Sequence, residues 1–303
     1  MSSKKIGVIW MLLSASAYSM FTIFGKTVLE ELSAVDVLLW RFLIAVPAAW
    51  IFVFIRFRRG GPSPLSVAFK PRLLAGLIFG LVSWLGFAAL DRMPGALYIV
   101  IIYTYPAMVA VGSTFLGRAT SRHIWMAVGI TLVGIACTVP EVFQGTDGAT
   151  VAGLIFTLGN AVMYAAYMIF SERLVTGSGG GDGFVSSAWS LTGSLIFALV
   201  VTAFSGTPHF PTTFNGAGSM IGLALISTVV ASMTFFLGLR HLGPASAALV
   251  ATSEVVLGLM WVVLFLGDSL KVIQVLGAIL VIIGVVWSQR VIPQTKTPEP
   301  TKA

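Results

Sequence analysis

The sequence predicts an all-α polytopic membrane protein in which ten transmembrane helices form two inverted five-helix repeats around a central cavity. Three observations predict it. Hydrophobic residues make up 57% of the chain and charged residues only 10%, at a mean hydropathy of +0.97. Soluble domains run near half apolar and about a quarter charged. Ten apolar runs approach the roughly 20 residues that a spanning helix needs. Finally, the stretch LDRMPGALYIVIIYTYPAMVAVGSTFLG, Leu90 to Gly117, is written a second time as LRHLGPASAALVATSEVVLGLMWVVLFLG, Leu239 to Gly267.

In that second copy Leu90, Ala96, Leu116 and Gly117 return as Leu239, Ala245, Leu266 and Gly267, with one single-residue slip. A Pro/Gly pair opens each run and Leu-Gly closes it. A repeat period of about 150 residues is half the chain, which makes two copies of one module. The first unit is placed at 1–145 with spans 1 to 5, the second at 146–292 with spans 6 to 10. Residues 293–303 form a polar, Pro-rich tail, expected to be disordered and cytoplasmic. Five spans is an odd number, so tandem copies enter the bilayer in opposite directions.

The expected spans of the first unit are 6–25, 35–55, 72–90, 95–116 and 123–139. Those of the second are 151–171, 184–204, 219–239, 244–266 and 272–290. Lys4-Lys5 and the apolar run before Ala15-Ser16-Ala17 imitate a cleavable leader. The run continues to Phe24, however, and SASAYSMFTIFGK (14–26) returns as NAVMYAAYMIFSE (160–172), so retention as span 1 is expected. Span 2 carries Pro47 and Arg41. Arg41 stands only a few residues into the span and is expected to snorkel to the outer interface.

The basic loop from Arg56 to Arg72 is expected to anchor the inner face. Span 3 holds Phe79, Ser83 and Trp84. Span 4 is interrupted by Pro106, which removes a backbone hydrogen bond and frees a carbonyl near Ile102. Span 5 ends near Pro140, and a loop with Glu141 and Asp147 joins the halves on the outer side. The glycine-rich run from Gly177 to Gly183 lacks the lysine and the strand-to-helix setting of a phosphate loop. It reads as a flexible cytoplasmic linker. Spans 5 and 10 share a small-residue pattern, Ala127, Ile130 and Gly134 against Gly277, Leu280 and Gly284, which signals close packing.

The net charge of +7 is distributed as topology, so nucleic acid is not an expected partner. With the N-terminus in the cytoplasm, fourteen Lys and Arg fall inside and three, Lys26, Arg92 and Lys271, outside. The positive-inside rule then places both termini in the cytoplasm of a multi-pass protein of the cell inner membrane. Cys137 sits alone in an apolar span, and His123, His209 and His241 show no ligand spacing. No cofactor and no metal are expected. The chain has no Walker motif, so direct use of ATP is excluded. No Ser/His/Asp set and no paired intramembrane carboxylates point to an enzyme.

Candidate binding residues come from polar and aromatic stripes inside the spans. On span 6, Asn160, Tyr164, Tyr167 and Ser171 fall on one helical face, and on span 1, Ser14, Tyr18, Phe21 and Gly25 repeat it. Such a stripe faces a water-filled cavity or a neighbouring helix rather than lipid tails. On span 4, Tyr98 and Tyr105 share a face while Tyr103 lies elsewhere, and on span 3 the matching candidates are Phe79, Ser83 and Trp84. Rings hold an apolar or aromatic side chain, while hydroxyls and Asn160 bind its polar end. Glu254 is the acid deep in a span, and burying its charge costs about 2.5–3.5 kcal/mol or more. It reads as a proton-coupling or substrate-amine site, or as a structural hydrogen-bonding group.

The ten-span plan, the duplicated unit, the Pro/Gly opening of spans 4 and 9 and the Leu266-Gly267-Asp268 close resemble the drug/metabolite transporter superfamily, EamA type. The resemblance covers roughly residues 6–290. Inverted repeats are a construction of secondary transporters, with the site near the midplane where the repeats meet. Within the superfamily, the aromatic-rich spans 3, 4 and 6 look most like the YddG-type amino-acid exporters. That resemblance implies export of aromatic and other neutral amino acids. Alternating access is the expected mechanism, driven by the substrate gradient or by protons through Glu254, with the lipid bilayer and the small-molecule substrate as partners and a monomer as the assembly. Where the superfamily often has Glu-Pro in span 4, this chain has Tyr105-Pro106 in the first copy and Glu254-Val255 in the second. A broad drug/proton antiporter and a non-transporting membrane assembly protein are the alternatives.

Overall fold

In a bilayer the backbone polar groups have no partner but each other, so long apolar runs become helices. The computed structural model describes residues 3–90, 92–93, 95–117, 121–140, 150–176, 181–261, 263–264 and 271–290, and no strand occurs among them. The first half contains α1 (Ser3–Ser19), α2 (Phe21–Leu29), α3 (Ala34–Arg58), α4 (Phe69–Leu90), α5 (Gly95–Ile102), α6 (Tyr105–Phe115) and α7 (Arg122–Thr138). The second contains α8 (Val151–Thr176), α9 (Gly183–Ala203), α10 (Phe214–Ala224), α11 (Ala231–Leu242), α12 (Pro244–Ala251), α13 (Ser253–Trp261) and α14 (Val272–Arg290). A π-helical stretch, Leu225–Val230, joins α10 to α11. Pro94, Glu141, Asp147, Gly177 to Gly180, Leu266-Gly267-Asp268 and the tail 293–303 lie outside the described residues.

Eight helical segments are long and apolar enough to cross a membrane, and two shorter apolar helices, Arg122–Thr138 and Val272–Ser288, accompany them. Those two rise only about 25 Å over their length, somewhat under the ~30 Å hydrocarbon thickness. Ile51, Phe54, Ile155, Leu199 and Ile279 face outward from four different helices. An exterior this apolar belongs to a multi-pass membrane protein.

Local chemistry sets the helix ends. Ser33 Oγ accepts the Asp36 amide at 3.2 Å at the start of α3, and Asp182 accepts the Phe184 and Val185 amides at 3.1 Å at the start of α9. Helix α3 runs on to Arg58 and stops where Gly60 turns at φ +86°. The expected Arg56–Arg72 loop therefore shrinks to 59–68. Arg72 is buried: it donates to Ser186 Oγ at 2.8 Å and to the Leu174 carbonyl at 2.6 Å, tying α4 to α9 and α8. Arg56 pairs with Asp182 at 2.6 Å.

Three apolar runs break into two helices. Pro106 at the start of α6 accounts for the break at Tyr103-Thr104. The equivalent break at Thr252 has no proline. In both places a threonine hydroxyl turns back on the helix before it, Thr104 to the Ile101 carbonyl at 2.7 Å and Thr252 to the Leu249 carbonyl at 2.6 Å. Such back-bonding competes with the helical ladder. The third break, at Met20, separates α1 from α2.

The two halves pack chiefly on each other. Helix α4 lies against α8 and α9, α1 against α11, α6 against α12, and α7 against α14. The α7–α14 crossing is the close approach that the small residues predict. A Cβ on Gly134 would fall 2.8 Å from the Gly277 carbonyl oxygen, and one on Gly277 2.6 Å from that of Gly134.

Candidate functional site

A cavity of about 840 Å³ lies between the halves. Its wall is built by α1 and α2 (Tyr18, Phe21), α3 (Arg41), α4 (Phe79, Ser83, Phe87), the broken α5/α6 (Tyr98, Tyr103, Tyr105), α8 (Asn160, Tyr164) and α13 (Glu254). It reaches Leu29, Glu30, Thr138 and Val139, at the end of the bundle where α2 and α7 finish. Towards the other end Tyr167 stacks on Phe235 at 5.7 Å with planes 12° apart, and Phe236 stands edge-on to both.

Of the residues singled out in the sequence, Tyr18, Phe79, Ser83, Tyr98, Tyr105, Asn160, Tyr164 and Glu254 stand together on this wall. Three do not. Ser14 is buried and donates to the Ala231 carbonyl of α11 at 2.8 Å. Trp84 turns away from the cavity and meets Phe156 edge to face, centroids 6.0 Å apart. Tyr167 is 2% exposed, packed in the core behind Tyr164. Each of these falls on a polar or aromatic stripe, but neighbouring helices cover that part of it.

Two wall residues were placed elsewhere by the sequence. Tyr103 was expected off the Tyr98–Tyr105 face. The helix ends at Ile102, so regular periodicity no longer fixes its direction, and Tyr103 lines the cavity beside the Glu254 carboxyl. Arg41 does not snorkel. It is 4% exposed, donates from Nε to Thr228 Oγ1 at 2.6 Å, and sets its guanidinium 5.4 Å from the Phe21 and Phe42 centroids and 6.0 Å from Phe79. The signal was its charge inside an apolar span. The snorkelling rule misdirected it because α10 and the π-helical stretch pack against α3 there and hold the side chain inside.

The wall's polar groups are held by neighbours. Tyr18 Oη and Ser232 Oγ share a 3.1 Å hydrogen bond. Asn160 Nδ2 donates to Tyr98 Oη at 2.9 Å. Gly86 makes that bond feasible, since a Cβ there would sit 2.9 Å from both atoms. Tyr105 Oη donates to the Ala248 carbonyl of α12 at 3.2 Å. Glu254 occupies the first turn of α13 directly after the Thr252 break, where the helix N-terminus favours negative charge. Among the described residues, no cluster of His, Cys, Asp and Glu is arranged to hold a metal.

A helical membrane protein whose two halves enclose a polar-aromatic cavity is built as a membrane transporter. The sequence model of the EamA-like transporter family matches residues 5–139 and again 151–289, and the chain belongs to that family. It is 25% identical over 284 residues to the uncharacterized transporter YcbK of Bacillus subtilis, covering 89% of this chain and 88% of that protein. An uncharacterized transporter of Clostridium kluyveri is 23% identical over 296 residues, 92% of each. A crystal structure shares the fold with a TM-score of 0.77 at 17% identity, over 95% of this chain and 97% of the other.

Proposed function

We propose that the protein is a secondary transporter of the inner membrane that exports small amphipathic metabolites, aromatic and other neutral amino acids above all. The observation that carries this reading is the cavity of about 840 Å³, lined by aromatic rings with a few convergent polar groups. Small-molecule sites have that size and that lining. The rings stack on an apolar side chain, and the polar groups take the other end.

In this reading the two family-matching halves are inverted repeats of five spans each, α7 and α14 included, with both termini cytoplasmic. They rock about the cavity and expose it to one side at a time. The breaks at Tyr103-Thr104 and Thr252 support it, because they let half-helices tilt without unfolding a whole span. The abundance of rings resembles YddG-type exporters. Glu254 is the group through which a proton gradient is coupled. Arg41 in the wall weighs against the broad drug/proton antiporter, since a fixed cation repels organic cations.

The test is uptake into liposomes holding the purified protein, across a panel of amino acids and cationic dyes, with and without a pH gradient. Saturable uptake of aromatic amino acids is the expected result. A protein that moves only the dyes ends the amino-acid reading.

A further inference from the structure

Arg41 is a charge in an apolar setting with too few partners. A guanidinium carries five N–H donors. Here Nε gives one to Thr228 Oγ1 at 2.6 Å and Nη2 gives one to the Ser227 carbonyl at a long 3.4 Å. The remaining three have no protein acceptor among the described residues, and no carboxylate forms an ion pair with Arg41. Rings of Phe21, Phe42 and Phe79 surround the group, and it is 4% exposed yet on the cavity wall. Membrane-buried arginines are costly and are retained where they pair with something. The fork geometry of a guanidinium matches a carboxylate, two parallel N–H···O bonds at once.

Acceptors share the same cavity. Glu254 lines it without forming an ion pair to Arg41. Asn160, 2% exposed, spends its Nδ2 on Tyr98 and leaves its Oδ1 with no partner. That oxygen is itself buried, so what the cavity offers is a bidentate cationic donor and an anion, with aromatic rings around them. Had Arg41 and Glu254 been needed only for folding, closing them into one pair would have lowered the burial cost of both.

We infer that Arg41 and Glu254 form a split charge clamp for a zwitterion, Arg41 taking the carboxylate and Glu254 the ammonium of a free α-amino acid with an apolar side chain. The clamp rests on the amino-acid reading above and narrows it: both charged ends of the ligand are required. An amine without a carboxylate leaves Arg41 unpaired in the cavity, and a carboxylate without an amine does the same to Glu254. Unpaired buried charges are what discriminate most strongly between ligands.

The experiment is competition against labelled L-phenylalanine in liposomes holding the full-length protein. The competitors are unlabelled L-phenylalanine, L-phenylalaninamide, which lacks the carboxylate, and 3-phenylpropionate, which lacks the ammonium. The expected result for the native chain is at least ten-fold weaker competition by each analogue. In Arg41→Gln the preference for phenylalanine over its amide disappears while that over phenylpropionate survives, and in Glu254→Gln the reverse holds. Arg41→Lys, which keeps the charge but loses the fork, retains a reduced preference over the amide and covers the case in which Arg41→Gln does not fold. Equal competition by acid and amide in the native protein overturns the clamp and leaves amino-acid transport standing. No phenylalanine uptake, and no binding of any of the three to the purified protein by calorimetry, overturns the amino-acid reading and the clamp with it.

Discussion

Tyr105 and Tyr164 meet edge to face, their ring centroids 4.7 Å apart and their planes at 74°. Through that contact the broken α5/α6 segment of the first half leans on α8, the first helix of the second. Tyr164 also stacks near-parallel on Tyr167 at 6.2 Å, and Tyr167 on Phe235. The rings run as a ladder from the cavity wall into the core, so a ligand pressing on Tyr164 acts on the contact between halves.

Substituting the two tyrosines separates wall from scaffold. Tyr164→Ala removes a ring from the cavity and two aromatic pairs, with Tyr105 and with Tyr167, each worth about 0.5–1.5 kcal/mol. The protein is expected to fold, with initial rates of amino-acid uptake in liposomes reduced ten-fold or more. Tyr105→Phe keeps the ring and deletes only the bond to the Ala248 carbonyl, worth about 0.5–1.5 kcal/mol net. It is expected to lower the melting temperature slightly and keep most of the uptake. Unchanged uptake in Tyr164→Ala would remove this cavity as the route.

The α7–α14 crossing predicts a stability contrast between two glycines on one helix. Gly134 faces the Gly277 backbone, whereas a Cβ at Gly129 meets nothing within 4 Å. Gly134→Val is expected to destabilise the protein by about 1–3 kcal/mol through overpacking. Gly129→Ala is expected to be neutral or slightly stabilising, because alanine is the better helix former. Thermal unfolding in detergent reads both, and equal effects would contradict the crossing.

How much of this was legible beforehand depends on which force decided each residue. The helices follow from apolar run length alone, and the expected 95–116 corresponds to α5 with α6. The Gly134–Gly277 contact was written in spacing, since only small residues let two backbones approach. Wall membership was legible while the helix stayed regular, as for Tyr18 and for Asn160 with Tyr164. It failed at Tyr103, where the backbone breaks, and at Tyr167, where Phe235 and Phe236 arrive from a segment some 70 residues away to cover it. Arg41 was misplaced because snorkelling depends on what lies above the helix, and no single span records that. The break at Thr252 had no proline to announce it.

Glu254 predicts how the transporter responds to pH. If its carboxyl exchanges protons with the cavity, as proposed, an imposed pH gradient is expected to drive uptake. Glu254→Gln cannot exchange that proton, so its uptake is expected to ignore the gradient while counterflow with equal pH on both sides continues at a reduced rate. Counterflow needs no net proton movement, which separates coupling from folding. A gradient response that survives in Glu254→Gln would assign coupling to another group.

The proposed inversion of the two halves predicts where two exposed arginines lie. Arg92 follows α4 and Arg240 stands near the end of α11, the corresponding places in the two copies. Units of five spans each put these positions on opposite faces of the bilayer, and parallel units put them on the same face. In a Cys137→Ala background, which removes the chain's one native thiol, Arg92→Cys and Arg240→Cys each introduce a single reactive site. A membrane-impermeant maleimide added to intact cells is expected to label Cys at 92 and to reach 240 only after the membrane is opened. The positive-inside rule gives that expected order, because it groups Arg240 with the cationic segments and leaves Arg92 on the other side. Labelling of both sites from the same side would dismantle the proposed inversion, and with it the proposal that the cavity opens to each side in turn.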